Sequence, residues 1–310
     1  MRTARLLRLT VLALLLLSAV WGVAFWSSGR QALAVLGAFS ILLVHVPALM
    51  LETLLFSWIN RGHPEVPPAS LWQRLQALVA EALLMPLVFY GRQAFRHDAV
   101  PDMLRGPAGT QQRGVVLVHG FHCNRAFWNP WMRRLKARGI PFVAVDLDPP
   151  FDSIDRYALP IEAAVATLER STGLAPVLVA HSMGGLAARA WLRAMDGDGR
   201  VQRVITIGTP HRGTWLTRLS LTRGPRQMAI DSEWLQALRR DESPARYAAF
   251  TCFWSHCDNV VFPASTAMLP GADNRHVDGA AHVQMICREA VFDEMLRWLD
   301  APARREDRCA

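Results

Sequence analysis

The chain has 310 residues, enough for one enzyme-sized core and an additional segment. Hydrophobic residues make up 51% of it and charged residues 19%, and most of the apolar excess lies in the first 90 residues. The net charge of +8 comes almost entirely from arginines, since Lys136 is the only lysine. These arginines are scattered and accompany no recognisable nucleic-acid module. The composition therefore argues against nucleic acid as a partner and favours a basic surface near anionic lipid headgroups.

An apolar run near the N-terminus is long enough to cross a membrane. Three early arginines precede Leu9 to Trp26, and a helix of about 18 such residues spans a bilayer core. A second run of about 20 residues, Ala32 to Leu51, follows the short SSGRQ loop. The two runs predict a transmembrane helical hairpin that anchors the chain through residues 1–60. A cleaved signal peptide, with small residues at Gly22 to Ala24, is the alternative.

Arginines flank the outer ends of both runs and so indicate an orientation. By the positive-inside rule, the N-terminus and everything after the hairpin are expected on the cytoplasmic side of a bacterial inner membrane. A third apolar segment, Leu78 to Tyr90, is short and carries Glu81 and Pro86. It predicts an interfacial or domain-packing helix within a linker and adaptor region, 61–113. If this segment spanned the membrane, the topology would be inverted.

The five cysteines favour free thiols. Their number is odd and their spacing wide, which is untypical of a disulfide framework and consistent with a reducing compartment. They are Cys123, Cys252, Cys257, Cys287 and Cys309.

From Gly114 onward, short apolar or β-branched runs alternate with helix-length segments. Continuous apolar runs are typical of parallel strands covered on both faces, and the alternation predicts a doubly wound, mostly parallel α/β sheet. The expected strands are 115–120, 142–147, 177–182, 204–210 and 250–258, and the expected helices are 127–137, 155–172, 183–195, 231–240 and 283–299. This catalytic domain is expected to occupy residues 114–300, followed by a polar tail at 301–310.

Ser182 follows the third of these runs, in the sequence AHSMGG. A serine that caps a helix is the ordinary interpretation of such a position. However, Ala180 and Gly184 place small residues on both sides of it, as a tight strand-to-helix turn around a nucleophile requires. Such a turn exposes the hydroxyl at the carboxyl edge of the sheet and directs the Met183 backbone N–H at a developing oxyanion.

A nucleophilic serine needs a base and an acid that orients it, and in sheets with this turn both follow the serine in the chain. Asp258 stands just after the fifth strand, and His282 lies in a loop of small residues before the last helix. The order and spacing favour Asp258 as the acid and His282 as the general base. The alternative bases are His211, His256 and His276, and the alternative acids are Asp273 and Asp278.

The first strand ends in VHGFHCN. His119 and Gly120 allow the chain to turn closely over the serine, so that the Phe121 backbone N–H becomes a second oxyanion donor. Neither HGFHC nor CFWSHCD has the spacing of a metal-ligand motif, and the chain has no phosphate-binding glycine motif. We therefore expect no metal and no cofactor.

Together these motifs resemble the α/β-hydrolase superfamily, and more narrowly bacterial triacylglycerol lipases and esterases. The resemblance covers 114–299 and rests on VVLVHGFHCN, VLVAHSMGGLAAR, VITIGTPHRGTW, SHCDNVVFP and GAAHVQM. It implies a triad of Ser182, Asp258 and His282 with oxyanion donors at Phe121 and Met183. Alanine at 180 departs from the commoner glycine but is similar to small lipases with an A-x-S-x-G turn. Those lipases are secreted, so their extracellular role does not extend to a chain with an anchor.

The sequence thus predicts a membrane-anchored serine hydrolase that cleaves carboxylic esters, with a lipid or another acyl ester as substrate and membrane lipids as surroundings. A thioesterase or acyltransferase with the same triad is an alternative, as is a non-catalytic membrane-associated scaffold of the same fold. The sequence does not define an oligomeric state. An acyl-chain pocket is expected from Phe121, Phe127, Trp128, Met183 and Trp215.

Overall fold

The computed structural model describes residues 2–107, 111–218 and 220–302. Four helices precede the sheet: α1 (Arg2–Ser27), α2 (Gln31–Leu42), α3 (His45–Ile59) and α4 (Leu71–Met85), which a π-helix (Pro86–Gln93) continues. The strands are β1 (Val115–Val118), β2 (Phe142–Val145), β3 (Val177–His181), β4 (Arg203–Ile207), β5 (Phe250–Trp254) and β6 (Asp273–His276). The remaining helices are α5 (Asn129–Ala137), α6 (Ala158–Thr172), α7 (Met183–Ala194), α8 (Arg223–Gln227), α9 (Glu233–Arg240), α10 (Pro244–Tyr247) and α11 (Glu289–Leu299).

Helices α1 and α2 pack against each other in opposite directions. The Ser18 hydroxyl donates to the Ala38 carbonyl at 3.1 Å, and the Trp21 indole N–H donates to the Leu33 carbonyl at 2.9 Å. The second predicted span is not one straight helix, because α2 ends at Leu42 and the following helix leaves at 56°. Two straight spans are therefore not confirmed. After α1, the chain runs back along it as the short helix α2 and then bends.

By length and composition, two described helices can cross a membrane, Arg2–Ser27 and Leu71–Gln93, and the bent pair is a third candidate. The segment predicted at 78–90 is therefore part of a longer helix than expected. One side of this longer helix packs against the rest of the chain, where Ala77, Glu81 and Val88 are buried. On the opposite side it exposes apolar residues: Leu71, Trp72, Leu75, Val79, Leu83 and Leu87.

The six strands form one parallel sheet in the order β2-β1-β3-β4-β5-β6. Val115 pairs with both Phe142 and Val177, so β1 lies between two neighbours. The jump from β2 across β1 to β3 is the point where the strand order reverses, and such points carry the functional sites of open α/β sheets. The first five strands were predicted from their apolar runs.

Helices cover both faces of the sheet. On one face α6 and α7 pack their apolar sides, including Leu168, Leu186 and Trp191, on the inward residues of the strands. On the other face α5 and α11 contribute Trp131 and Phe292. The doubly wound fold is therefore confirmed. The predicted last helix differs, because Gln284–Cys287 is a 3₁₀ turn and α11 begins only at Glu289. Most of the predicted tail, 303–310, lies outside the described residues.

Candidate active site

Ser182 stands alone between the end of β3 and the start of α7. Its φ of 55° and ψ of −129° are strained values for a residue with a side chain. The surrounding chain holds this conformation: the Ser182 N–H donates to the Ile207 carbonyl at 2.9 Å, and the Thr209 hydroxyl donates to the Ser182 carbonyl at 2.9 Å. Strain that the fold maintains at one serine is typical of a nucleophile that must be kept exposed at a sharp turn.

Glycine is required where neighbouring chains approach this turn. A Cβ at Gly184 would lie 2.5 Å from the His119 carbonyl oxygen and 2.8 Å from that of Val118. A Cβ at Gly120 would lie 2.8 Å from the Ser182 Cβ. The first strand-end turn therefore passes directly over the serine. Ala180 is fully buried within β3.

Asp258 and His282 meet beside this serine. The His282 Nδ1 lies 2.9 Å from the Asp258 Oδ2, and both side chains are buried. The other carboxylate oxygen accepts the N–H groups of Val260 and Val261 at 2.8 and 2.9 Å. With Asp258 fixed in this way, the imidazole N–H at Nδ1 is held by the carboxylate, and Nε2 is left as the acceptor.

The electrostatic surroundings favour the protonated form of His282. Burial by itself lowers the pKa of the imidazole, but the charge of Asp258 and its hydrogen bond oppose this effect. The charges of Glu81 and Glu52 add to the opposition, and together they raise the pKa above its usual value. A base with these neighbours is suited to receive a proton and to stabilise the resulting imidazolium.

His181, the residue before the serine, supports the His282 loop. Its Nε2 donates to the His282 carbonyl at 3.2 Å, and the two rings lie 4.6 Å apart. Burial holds the pKa of His181 well below its usual value, so the ring stays neutral. Gly208 adds close contact, because a Cβ there would lie 3.0 Å from the His282 Nδ1.

The turn predicted to place Phe121 as an oxyanion donor is fixed by His119. The Leu147 N–H donates to its Nε2 at 3.1 Å, so the ring proton is on Nδ1, which donates to the Gly120 carbonyl at 2.9 Å. Burial lowers the pKa of His119 to about 4, which keeps the ring neutral in this bridge. Phe121 directly follows this turn, and Met183 begins α7 beside the serine.

The alternative bases and acids lie in other interactions. The His211 Nε2 lies 3.0 Å from the Thr206 hydroxyl, inside the core. Asp273 is paired with Arg275 at 2.8 Å. The remaining three form a cluster, in which the His256 Nδ1 lies 2.7 Å from the His276 Nε2 and Asp278 is adjacent. In the described part of the chain, this cluster is the group whose ligand atoms lie close enough to hold a metal ion, and His276 and Asp278 are exposed.

A cavity of about 360 Å³ lies at the predicted active site. Ser182 and His282 line it, as do Phe121 and Phe127 of the predicted acyl pocket. The other three predicted pocket residues do not line it: Trp128 and Met183 are in the core, and Trp215 packs on Phe262.

The four free cysteines of the described chain include Cys123, which lines the cavity. Cys309 lies outside the described residues.

Much of the cavity wall comes from the N-terminal helices, which the sequence did not indicate. The wall residues from these helices and the π-helix are Leu7, Thr10, Glu52, Glu81, Met85, Phe89 and Tyr90. Contacts between residues about 200 positions apart leave no signal in local periodicity. The one available clue was Glu81, a carboxylate in an otherwise apolar run.

Comparison with known proteins places this geometry in context. The sequence model of the Alpha/beta hydrolase family matches residues 115–307. The mature form of the Bacillus licheniformis lipase BlEst2 is 20% identical with a TM-score of 0.55, over 64% of this chain and 95% of that chain. Its propeptide form has the same identity and TM-score, over 66% of this chain and 53% of that chain. These likenesses are of fold alone. A search of the curated proteins finds no match.

Proposed function

Because the chain belongs to the alpha/beta hydrolase family, we propose that it is a membrane-anchored serine hydrolase of carboxylic esters, with lipids as substrates. The observation that carries the proposal is the strained Ser182 in one cavity with His282, whose imidazole is hydrogen-bonded to Asp258. A scaffold without activity would have no need to maintain a strained serine beside a buried histidine and carboxylate pair.

The reaction proceeds through an acyl-enzyme. His282 takes the proton from Ser182 as the hydroxyl attacks the ester carbonyl, and Asp258 stabilises the imidazolium. The N–H groups of Phe121 and Met183 bind the oxyanion. His282 then gives the proton to the departing alcohol. Water, activated by the same imidazole, releases the acid and restores the serine.

The cavity supports an acyl substrate. Its volume is about 360 Å³, and most of its lining surface is apolar, although polar side chains, including Glu52 and Glu81, also line it. A mostly apolar site with a few placed polar groups is typical of sites that bind apolar ligands in one orientation. An acyl chain would lie against Phe121, Phe127, Met85 and Phe89, which brings its carbonyl to Ser182.

The position of α1 supports a membrane setting. Its first turns pack at the end of the π-helix that follows α4, where the Arg8 guanidinium donates to the Ala94 carbonyl at 2.6 Å. The 18 residues from Leu9 to Trp26 extend about 27 Å as a helix, which nearly matches a hydrocarbon core of about 30 Å. Leu7 and Thr10 line the cavity. The active site would then lie at the membrane surface, on the side of the N-terminus, which the flanking arginines assign to the cytoplasm.

Full-length protein in lipid nanodiscs tests the proposal with p-nitrophenyl esters of increasing chain length. We expect turnover that rises with chain length and that Ser182→Ala removes, together with labelling of wild type by a fluorophosphonate probe. Ester turnover retained by Ser182→Ala would overturn the assignment of the nucleophile. A parallel assay with an acyl thioester addresses the leaving group. If kcat/KM is higher for the thioester than for the ester, the protein is a thioesterase and not an esterase.

A further inference from the structure

Two carboxylates of the N-terminal helices contact the loops that carry Asp258 and His282. Glu81 of α4 accepts the backbone N–H of Val283 at 3.0 Å, one residue after the histidine. Glu52 of α3 accepts the Asn259 side-chain N–H at 2.7 Å, one residue after the aspartate. Two helices that precede the sheet in the chain thus reach both loops of the pair.

These contacts converge on the backbone of the histidine. The Asn259 Oδ1 accepts the His282 N–H at 3.2 Å, while its N–H group is held by Glu52. The two successive backbone donors at 282 and 283 are therefore bound, one through an amide and one directly, by carboxylates from α3 and α4. Since the peptide units on both sides of the His282 Cα are held in this way, the backbone cannot rotate freely there and the side-chain direction of His282 is constrained as well.

Stability alone does not explain carboxylates at these positions. Glu81 is 2% exposed, and its Oε2 has no hydrogen-bond partner within the described chain. Burying a carboxylate is costly unless its oxygens are well satisfied, and an apolar side chain of similar size would suit α4 better. A residue kept at such a cost is a candidate for a role in the reaction.

We propose that Glu52 and Glu81 are positioning residues, which hold the His282 loop against Asp258 and supply negative charge behind the imidazole. This proposal rests on the proposed function. It gives α3 of the predicted anchor and α4 of the predicted adaptor region a role in positioning the base. Neither residue touches the reacting atoms, because each acts through Asn259 or the backbone of the histidine loop.

Substitutions can separate the effect of the carboxylate charge from that of its hydrogen bond. The glutamine variants Glu81→Gln and Glu52→Gln keep an acceptor oxygen but remove the charge, whereas Glu81→Leu removes both. Groups that face His282 are Asp258 after β5, Glu52 on α3, Glu81 on α4 and the neutral His181 on β3. Because the charges of both glutamates raise the pKa of His282, either glutamine variant should move the acid limb of the kcat/KM profile to lower pH. Burial raises the pKa of Glu81 itself to about 7, so its charge contributes fully only well above that pH.

The experiment measures pH profiles, kcat, KM and thermal unfolding for full-length variants in nanodiscs. We expect kcat to fall about 10- to 100-fold in Glu81→Leu with little change in KM, because a displaced base slows proton transfer. Glu65→Gln is the matched control, since this exposed carboxylate of the same N-terminal region is paired with His63. It should reproduce the wild-type profile.

The outcomes separate this proposal from the proposed function. If Ser182→Ala removes turnover while both glutamine variants keep the wild-type pH midpoint, the positioning role is wrong and the nucleophile assignment stands. Both glutamates also line the cavity, so a rise in KM alone would mean that they act on substrate binding and not on His282, which would overturn the positioning role. If Ser182→Ala retains turnover, the proposed function itself fails. Should Glu81→Leu not fold, the two glutamine variants still decide, because they preserve shape.

Discussion

Adding one methyl group at Gly184 should damage both stability and activity. The Cβ of an alanine would lie 2.5 Å from the His119 carbonyl oxygen. Comfortable carbon-to-oxygen contacts begin near 3.3 Å, so the chains must separate by roughly 0.8 Å. Strand β1 is hydrogen-bonded on both sides, to β2 and β3, and cannot yield easily. The start of α7 must therefore move, together with Ser182 and the Met183 N–H.

The magnitude follows from this displacement. Overpacking of this kind costs about 1–3 kcal/mol of the free energy of unfolding, which corresponds to a melting temperature lowered by about 2–12 °C in a domain of this size. A nucleophile displaced by nearly 1 Å should lose about 100-fold in kcat. Thermal unfolding, kcat on a p-nitrophenyl ester and the rate of fluorophosphonate labelling measure the three effects.

The control for this substitution is Gly62→Ala. A Cβ at Gly62 has nothing within 4 Å, so this variant adds the same methyl group in open space and should match wild type. If Gly184→Ala also matched wild type in melting temperature and kcat, the close approach of α7 to the first strand-end turn could not be what positions the serine.

Three other expectations concern the histidines. Asp258→Asn should keep the fold, as seen by circular dichroism, but lower kcat by about 10⁴-fold, because an amide no longer holds the imidazole in the accepting tautomer. Because the pKa of His282 is raised, the base becomes neutral only at a higher pH. The acid limb of kcat/KM should therefore have its midpoint above 6.5 in wild type and at lower pH in Asp258→Asn. An unchanged midpoint in this variant would contradict the pairing of Asp258 with His282. His119→Ala leaves two buried backbone groups without partners, and denaturant titration should find about 1–3 kcal/mol lost from the free energy of unfolding; an unchanged value would exclude the bridging role.

The sheet was predictable from sequence because its signal is local. Most of each buried strand is an apolar run, and 115–118 or 177–180 is apolar regardless of what packs on it. Helix ends were less predictable. After His282 the chain needs one 3₁₀ turn, Gln284–Cys287, before α11, and local periodicity does not distinguish that turn from the first turn of a helix.

Within the site, the positions of Ser182, Asp258 and His282 were predictable because the fold orders such residues along the chain and places small residues around the serine. Their catalytic roles stay predictions. The supporting contacts were not predictable. Glu52 meets Asn259 across 207 positions, and Glu81 meets Val283 across 202. The bend after Leu42 was missed for a similar reason: an apolar run of sufficient length predicts a straight span unless tertiary contacts are known. His45 shows such a contact, since its Nε2 lies 3.1 Å from the Ala82 carbonyl of α4.

Much of the cavity wall is formed by the N-terminal helices and not by the segment between β4 and β5. The described part of the segment between β4 and β5 contains short helices, and its buried Glu242 binds Arg189 of α7. None of the described residues that line the cavity belongs to 211–247. The wall is instead built from the other end of the chain, by the helices that precede β1. Because Leu7 and Thr10 of α1 belong both to this wall and to the base of the proposed membrane helix, a change in how α1 sits in the bilayer would also change the shape of the substrate cavity. Under the proposed function, activity should therefore depend on bilayer thickness, which a detached catalytic domain would not sense.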